Sequence, residues 1–385
     1  MDPICKLLIL VTLLLQLQPI SILGIPECKF PAVFNFGDSN SDTGALSAMF
    51  GEPAIPPPNG ETFFGSPAGR RSDGRLLIDF IAKGLGLPYL SAFLDSMGTN
   101  FSHGANYATI GSTIRRQNTT IFQSGYSPIS LDIQYAEFSS FLKRSQLIRQ
   151  RGDIFKTLFP DINDFSRGLY TFDIGQNDLT AGYQLNMSPE QVKAYVPDVI
   201  SEFTATIKNV YGVGGRAFWI HNTGPVGCLP YIMDTQVITT AQVDKLGCAA
   251  QFNDVSQYFN LKLKEAVIQL RKELPLASIT YVDIYSAKYS LIAQSKKLGF
   301  VDPFMVCCGH GEKHNFNNAQ MCGFTEMVNG KKILIANSCK DPSSSIIWDG
   351  IHFTEAANKW IYEQIATGAF SDPQVPLNMA CHREK

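Results

Sequence analysis

Short, almost continuously apolar segments alternate with longer amphipathic segments along most of the chain. The short segments are rich in β-branched and aromatic residues, as is typical of strands covered on both faces, and they span residues 32–36, 169–174, 216–222 and 278–283. The amphipathic segments predict helices over residues 76–84, 189–212, 249–274 and 354–365. The alternation predicts a parallel sheet with right-handed crossovers and helices on both faces.

Two segments lack both patterns. Residues 53–60 contain four prolines and predict an extended loop, and residues 300–345 are rich in Gly, Asn and Cys and predict irregular structure held by disulfides. Length alone would allow two domains. Because the candidate functional residues described below come from both ends and the middle of the chain, we predict a single domain over residues 25–385.

The first 24 residues have the pattern of a cleaved secretory signal. Lys6 precedes an apolar stretch over residues 7–17, which is too short to span a bilayer. No later segment approaches the roughly 18 uninterrupted apolar residues of a spanning helix. The sequence therefore predicts a secreted protein with a signal at 1–24 and no stable membrane anchoring.

Two further features agree with export. Three sequons are expected to carry glycans, at Asn100, Asn118 and Asn186. Of the nine cysteines, Cys5 lies in the predicted signal, and the remaining eight form an even set that allows 105 connectivities. The pairings we favour are Cys228 with Cys248 and Cys28 with Cys381, together with local pairs, whose partners are left open, among the four cysteines at 307, 308, 322 and 339.

Composition excludes one class of partner. The formal charge is −2 and charged residues make up 17% of the chain without any basic stripe, so we expect no nucleic-acid partner. The oligomeric state is not predicted by the sequence.

A zinc site is the metal alternative. His310 and His314 lie near Cys307, Cys308 and Cys322. Two glycines, at 309 and 311, argue against a helix that would bring the two rings together. In an exported chain these cysteines are expected to form disulfides, so we predict no metal.

Candidate chemistry follows the predicted strands. Gly37-Asp38-Ser39-Asn40 comes directly after the first strand, and Gly175-Gln176-Asn177-Asp178 follows a later one. In open parallel sheets, ligands bind beyond the carboxyl ends of the strands. Ser39 is therefore placed where a nucleophile is useful, although a serine in such a cluster is more often a helix cap or turn residue.

A second motif supplies what a serine nucleophile needs. Asp349 lies three residues before His352, close enough on a tight turn for the carboxylate to accept from the imidazole. Serine attacks esters only when a neutral imidazole takes its proton and a third group fixes the ring. The alternative is a contact between a cap and a histidine before the helix at 354–365.

Two motifs are candidates for an oxyanion hole. Gly111 allows close approach of a backbone N–H, and Gly175 lets the chain turn so that the Asn177 amide can face a developing oxyanion. An ordinary turn glycine and an Asx turn are the alternatives.

Taken in this order, the motifs resemble the plant branch of the GDSL esterase/lipase family, also called SGNH hydrolases. The matching stretches cover nearly the whole chain after the signal: residues 34–44, 69–75, 106–111, 175–178, 224–230 and 348–357. Within the family, the chain is most similar to the subgroup of early-nodulin-type esterases and glycoside acetylesterases. No G-x-S-x-G motif, which would indicate an α/β-hydrolase, is present.

The resemblance implies a flavodoxin-like three-layer α/β/α fold without a cofactor. It implies that Ser39 is the nucleophile, His352 the general base and Asp349 its orienting partner. The Ser39 N–H, the Gly111 N–H and the Asn177 side chain would form the oxyanion hole. The implied substrate is a small-molecule or glycan ester. Secretion to the cell wall or apoplast is then expected, with the vacuole as the alternative compartment.

Three residues depart from the family pattern. Asn40 replaces an aliphatic residue, as is common in this subgroup. Ile110 stands where small residues are usual, and Arg71 lies where an aromatic residue is usual. No substrate preference is predicted from Ile110 or Arg71.

Three alternatives to ester hydrolysis stay open. An acyltransferase would use the same acyl-serine and pass the acyl group to an alcohol. A glycosidase would need two well-placed carboxylates. A glycan-binding protein without catalysis would not need a Ser/His/Asp arrangement.

Overall fold

The computed structural model describes residues 27–51, 55–118 and 125–382, so the predicted signal at 1–24 lies outside the described residues. Its central sheet has six strands: β1 Val33–Gly37, β2 Gly104–Asn106, β3 Leu169–Asp173, β4 Ala217–His221, β5 Ser278–Val282 and β8 Ser371–Asp372. Their order is β2-β1-β3-β4-β5-β8. The first five are parallel, and β8 pairs antiparallel with β5.

Eleven α-helices are found in the described residues. They are α1 Ala45–Phe50, α2 Leu77–Gly84, α3 Leu131–Arg149, α4 Asp153–Lys156, α5 Ile162–Arg167, α6 Gln176–Gln184, α7 Pro189–Gly212, α8 Pro230–Thr235, α9 Ala250–Glu273, α10 Ile284–Ala293 and α11 Glu355–Ile365. Helices α3, α7 and α9 pack together in one layer, and α2, α10 and α11 in another. With the sheet between them, these layers form the expected flavodoxin-like α/β/α fold.

Aromatic side chains fill the core beside the first strand. Phe36 of β1 stacks on Phe172 of β3 with ring centroids 4.8 Å apart, and Phe138 of α3 meets Phe36 edge-on at 5.7 Å. All three are fully buried. Side chains alternate between the two faces of a strand, so these aromatic positions of β1 and β3 share the face covered by α3 and α7. This packing fixes the strand that ends next to Ser39.

The four strands predicted from apolar runs are confirmed to within about one residue at each end. The sequence missed β2, because its three residues, Gly-Ala-Asn, form no apolar run. It also missed α3, whose polar and apolar residues are spread around the helix.

The prediction that residues 300–345 are irregular is wrong in one place. An antiparallel hairpin is formed there by β6 Thr325–Val328 and β7 Lys331–Leu334. Its turn is Asn329-Gly330, and both residues have positive φ, 52° and 76°. Asn-Gly is the strongest short hairpin signal, because both turn positions require the left-handed region.

Four disulfides link the eight cysteines after the predicted signal: Cys28–Cys381, Cys228–Cys248, Cys307–Cys339 and Cys308–Cys322. All the favoured pairings are present. The first joins positions 353 residues apart and fastens the two ends of the described chain together. Among the described residues, no helix has the length and apolarity that a membrane span requires.

Leu169→Ala tests the contribution of the central sheet. Leu169 is fully buried at the start of β3, so we expect a loss of about 2.7–5 kcal/mol in the free energy of unfolding from lost burial and a residual cavity. Leu147→Ala is the matched control, because Leu147 of α3 is 60% exposed, and it should change that free energy by less than about 0.5 kcal/mol. Equal losses in chemical denaturation would contradict this description of the core.

Candidate active site

Three side chains from the two ends of the chain form one line of hydrogen bonds. The Nε2 atom of His352 lies 2.6 Å from Ser39 Oγ, and its Nδ1 atom lies 2.7 and 2.9 Å from the two carboxylate oxygens of Asp349. An ionised carboxylate only accepts hydrogen bonds, so Nδ1 carries the hydrogen. Nε2 is then free to accept from the Ser39 hydroxyl. All three residues are buried.

Asp349 is held in place by the turn that it begins. One of its oxygens also accepts from the backbone N–H groups of Ile351 and His352, at 3.1 and 2.9 Å. Burial would raise the pKa of Asp349, but the charge and hydrogen bond of His352, together with the positive charge of Arg71, lower that pKa to about 2. Asp349 is therefore an anion at any physiological pH.

Ser39 lies just beyond the carboxyl end of β1. The Gln134 side chain of α3 forms two hydrogen bonds with the backbone of Gly37, the last residue of the strand. Its Oε1 accepts from Gly37 N at 2.9 Å, and its Nε2 donates to Gly37 O at 2.8 Å. The Asp38 carboxylate then accepts from Asn40 N at 2.9 Å. These bonds fix the backbone on both sides of the serine.

The loop with Gly111 is tied to the same turn. Asp42 accepts from the N–H groups of Gly44 and Ala45 at the start of α1, and it also accepts from Ile110 N at 2.9 Å. Gly111 has φ 77°, and a Cβ there would lie 2.5 Å from the Gly125 carbonyl oxygen. Only glycine fits this position without a shift of the backbone.

Asn177 lies in the first turn of α6, directly after β3. Its Nδ2 atom donates to Ser112 O at 2.9 Å, which aligns the amide beside the Gly111 loop. Asp178 accepts from Ile114 N and Arg115 N at 2.8 and 3.0 Å, so the same helix turn anchors that loop. Burial raises the pKa of Asp178 to about 7.

Ser39 and His352 open onto a cleft of about 240 Å³. The cleft lies at the carboxyl edge of the sheet, where the sequence placed it. Its walls combine apolar side chains with neutral amides and hydroxyls and one arginine: Arg71, Ile110, Gly111, Gly125, Tyr126, Gln176, Asn177, Thr180, Gln184, Tyr231, Asn318, Met321 and Ile351. The predicted oxyanion residues Gly111 and Asn177 thus share one cavity with Ser39.

A group of four buried ionisable side chains lies near the carboxyl ends of β1, β3 and β4: Asp38, Asp173, His221 and Lys288. His221 Nδ1 lies 3.3 Å from Asp173 Oδ2. Burial opposes ionisation of Asp173, but His221 and the charge of Lys288 lower its pKa. Burial and then the charge of Asp173 raise the pKa of Asp38. Lys288 of α10 lies 4.5 Å from the Phe353 ring centroid, and burial lowers its pKa.

The sequence analysis missed Lys288 and Gln134 as parts of the site. For Lys288, the only signal in the sequence was a lysine within the largely apolar segment 284–293. Gln134 was missed because it lies in α3, which was not predicted. His221, at the end of β4, is buried beside Asp173.

The remaining sequence candidates lie away from the cleft. Asn100, Asn118 and Asn186 are exposed on the surface. His314 Nδ1 lies 2.8 Å from Asp234 Oδ1, and the cysteines considered as zinc ligands are joined in disulfides. Within the described residues, no group of three or more His, Cys, Asp or Glu could hold a metal ion.

The family model of the GDSL-like lipase/acylhydrolases matches residues 33–365, which contain the whole hydrogen-bonded line and both oxyanion candidates. This chain belongs to the GDSL-like lipase/acylhydrolase family.

Several relatives of this GDSL chain match almost end to end. A GDSL esterase/lipase of Arabidopsis thaliana is 61% identical, covering 93% of this chain and 94% of its own. A protein of Hevea brasiliensis named esterase is 54% identical, over 92% and 90%. An Arabidopsis protein named alpha-L-fucosidase 3 is 53% identical over the full length of both. Family and relatives together establish ester hydrolysis as the class of activity of this GDSL chain.

Lys288→Met tests the buried charges beneath the GDSL site. The substitution leaves the Asp38 and Asp173 carboxyl groups without their buried cation, so we expect the free energy of unfolding to fall by about 3–5 kcal/mol. Lys297→Met is the control, because Lys297 is exposed and should change that free energy by less than about 0.5 kcal/mol. A Lys288→Met protein as stable as the wild type in urea would show that Lys288 does not balance the two carboxyl groups.

Proposed function

We propose that this chain is a secreted serine carboxylic ester hydrolase that works through an acyl-enzyme. The observation that carries the proposal is the hydrogen-bonded line from Asp349 through His352 to Ser39, which opens onto the cleft. Its order matches what a serine nucleophile requires: an ionised carboxylate, an imidazole held in one tautomer and a hydroxyl within reach.

The first half of the reaction forms the acyl-enzyme. Ser39 Oγ bonds to the ester carbonyl carbon while His352 Nε2 takes its proton, and the carbonyl oxygen becomes an oxyanion. The Ser39 N–H, the Gly111 N–H and the Asn177 amide would donate to that oxyanion. When the tetrahedral adduct collapses, the bond from carbon to the alcohol oxygen breaks. His352 gives its proton to the departing alcohol.

The second half restores the enzyme. A water oxygen bonds to the acyl carbon as His352 Nε2 takes a water proton. The bond between that carbon and Ser39 Oγ breaks, Ser39 regains the proton from His352, and the carboxylic acid leaves. Asp349, with its pKa of about 2, stays ionised throughout and offsets the positive charge on the imidazole.

The size of the cleft favours a short acyl group. At about 240 Å³ it is smaller than the pockets of about 300–1,000 Å³ that enclose drug-sized ligands. The substrate that we infer is an acyl ester, such as an acetyl ester, of a carbohydrate or plant metabolite whose alcohol part extends out of the cleft.

Acyl transfer to an alcohol is the main alternative, because it uses the same acyl-serine. The two activities differ only in the acceptor. Incubation with an acyl donor and a candidate alcohol, followed by measurement of new ester against free acid, separates them.

Glycoside hydrolysis is suggested by the printed name of one relative, the alpha-L-fucosidase. That reaction needs two carboxyl groups facing the scissile bond. The residues described as lining the cleft include no Asp or Glu. Cleavage of a fucoside that survives Ser39→Ala would favour the glycosidase.

Secretion rests on the leader-like pattern at 1–24 and the four disulfides, which are typical of oxidising compartments. We infer that the mature chain, residues 25–385, is one domain, and its largest apolar core runs from Phe30 to Ala380. We infer that the protein is exported to the cell wall or apoplast. Its proposed glycosylation sites are Asn100, Asn118 and Asn186.

Ser39→Ala tests the nucleophile. We expect kcat on p-nitrophenyl acetate to fall by several orders of magnitude with the unfolding transition preserved, because the three groups act as a unit. Ser201→Ala, at an exposed serine of α7, should leave kcat unchanged. Retention of most activity by Ser39→Ala would refute the proposed function.

Asn177→Ala tests the oxyanion hole. Loss of one donor is expected to lower kcat by about 100- to 1,000-fold, with a smaller change in KM, because the bond is made chiefly in the transition state. Asn209→Ala on the exposed side of α7 is the control. If kcat is unchanged while Asn177→Ala remains folded, Asn177 is not an oxyanion donor.

A further inference from the structure

Three arginines lie within six residues, and the structure uses them differently. Arg70 forms two hydrogen bonds with the Asp79 carboxylate, at 2.8 and 2.7 Å. Arg75 binds Glu355 with an N–O distance of 2.6 Å. Arg71 makes no side-chain hydrogen bond and no ion pair with any residue in the described ranges. Arg71 therefore has a charge that is not paired directly with any of the described residues.

Arg71 lines the same cleft as Ser39 and His352 and is half-buried. Among the described residues of the cleft wall it is the one side chain with a permanent charge. Residues 119–124, which precede the wall residues Gly125 and Tyr126, add no charged side chain by sequence. As far as the described residues go, the cleft is thus a small cavity with a single fixed positive charge.

The guanidinium of Arg71 is partly desolvated, and a bound anion would offset that cost. A half-buried guanidinium loses part of its hydration, and for Arg71 no hydrogen bond from the described residues replaces it. Its charge also acts on Asp349, the carboxylate that faces His352. During catalysis His352 becomes a cation, and a second positive charge nearby opposes that step. A negatively charged group on the substrate would remove both penalties.

We propose that Arg71 binds a carboxylate carried by the ester substrate, so that the enzyme prefers anionic esters to neutral ones of the same shape. This inference rests on the proposed function. A guanidinium presents paired N–H donors that match the two oxygens of a carboxylate, and such charge-assisted bonds are about twice as strong as neutral ones. The carboxylate could belong to the acyl part or to the alcohol part of the ester.

Two matched substrate pairs test the preference. In the acyl pair, the p-nitrophenyl hemiester of glutaric acid carries a carboxylate, and p-nitrophenyl pentanoate carries a methyl group in its place. In the alcohol pair, p-acetoxybenzoate is compared with its neutral methyl ester. The readout is the charge preference, defined as kcat/KM for the anionic ester divided by kcat/KM for the neutral one.

Arg71→Met should lower the charge preference by about tenfold or more in at least one pair, because a hydrogen bond between charged groups is lost. The neutral esters should change little. Arg71→Lys should retain part of the preference, and Arg71→Glu should reverse it. Arg151→Met, at an exposed arginine outside the cleft wall, should leave the preference as in the wild type.

Salt gives a test that needs no variant. Raising NaCl to about 0.5 M should lower the wild-type kcat/KM for the preferred anionic ester and leave its neutral partner nearly unchanged. The inference is overturned if Arg71→Met slows all four esters by one common factor, or changes none of them. A common factor would mean that Arg71 acts on Asp349 rather than on substrate.

Failure of the proposed function looks different. In that case the wild type would show no hydrolysis of any of the four esters that depends on Ser39. If the wild type hydrolyses them through Ser39 and the charge preference is the same in Arg71→Met, only the role of Arg71 is refuted.

Discussion

The contact between the Ser39 hydroxyl and the His352 ring is the constraint on which the rest of the structure depends. The two residues are 313 positions apart, and their atoms meet at 2.6 Å. Ser39 follows the end of a buried strand. His352 lies on a turn in which the Asp349 carboxylate accepts hydrogen bonds from Ile351 N, His352 N and His352 Nδ1. Trp348 N donates to His352 O at 2.7 Å and helps to hold that turn shut. Small displacements of either loop would break the contact, which explains why each loop is tied down so often.

Charged side chains lie near this contact in two places, behind the strand ends and beside the cleft. Behind the strand ends, the buried carboxyl groups of Asp38 and Asp173 lie near Lys288, and Asp173 also lies beside His221. Asp349 is buried behind His352, while Arg71 lines the cleft. The interior charges lie near groups of opposite charge, whereas Arg71 makes no direct ion pair with any of the described residues. Arg70 differs from Arg71 in the same way, because Arg70 forms an ion pair with Asp79.

The parts that sequence could predict are those whose signal is local. Apolar runs identified four of the strands, and strand–glycine–polar motifs placed Ser39 and Asn177 at the right edge of the sheet. The sequence did not predict the contacts of Gln134 and Lys288 with the strand ends, because these contacts form only when α3 and α10 pack against the sheet. Arg71 was visible as a departure from the family pattern, but the sequence did not show that Arg70 and Arg75 have carboxylate partners while Arg71 has none among the described residues. The hairpin at 325–334 was missed although Asn329-Gly330 signalled it.

Covalent trapping tests the central claim most directly. A fluorophosphonate ester reacts with an activated serine: the oxygen bonds to phosphorus and fluoride leaves. We predict one phosphonyl group per chain, located by peptide mass spectrometry on Ser39, with esterase activity lost in step with labelling. Label on a different residue, or full activity after Ser39 is labelled, would contradict the account.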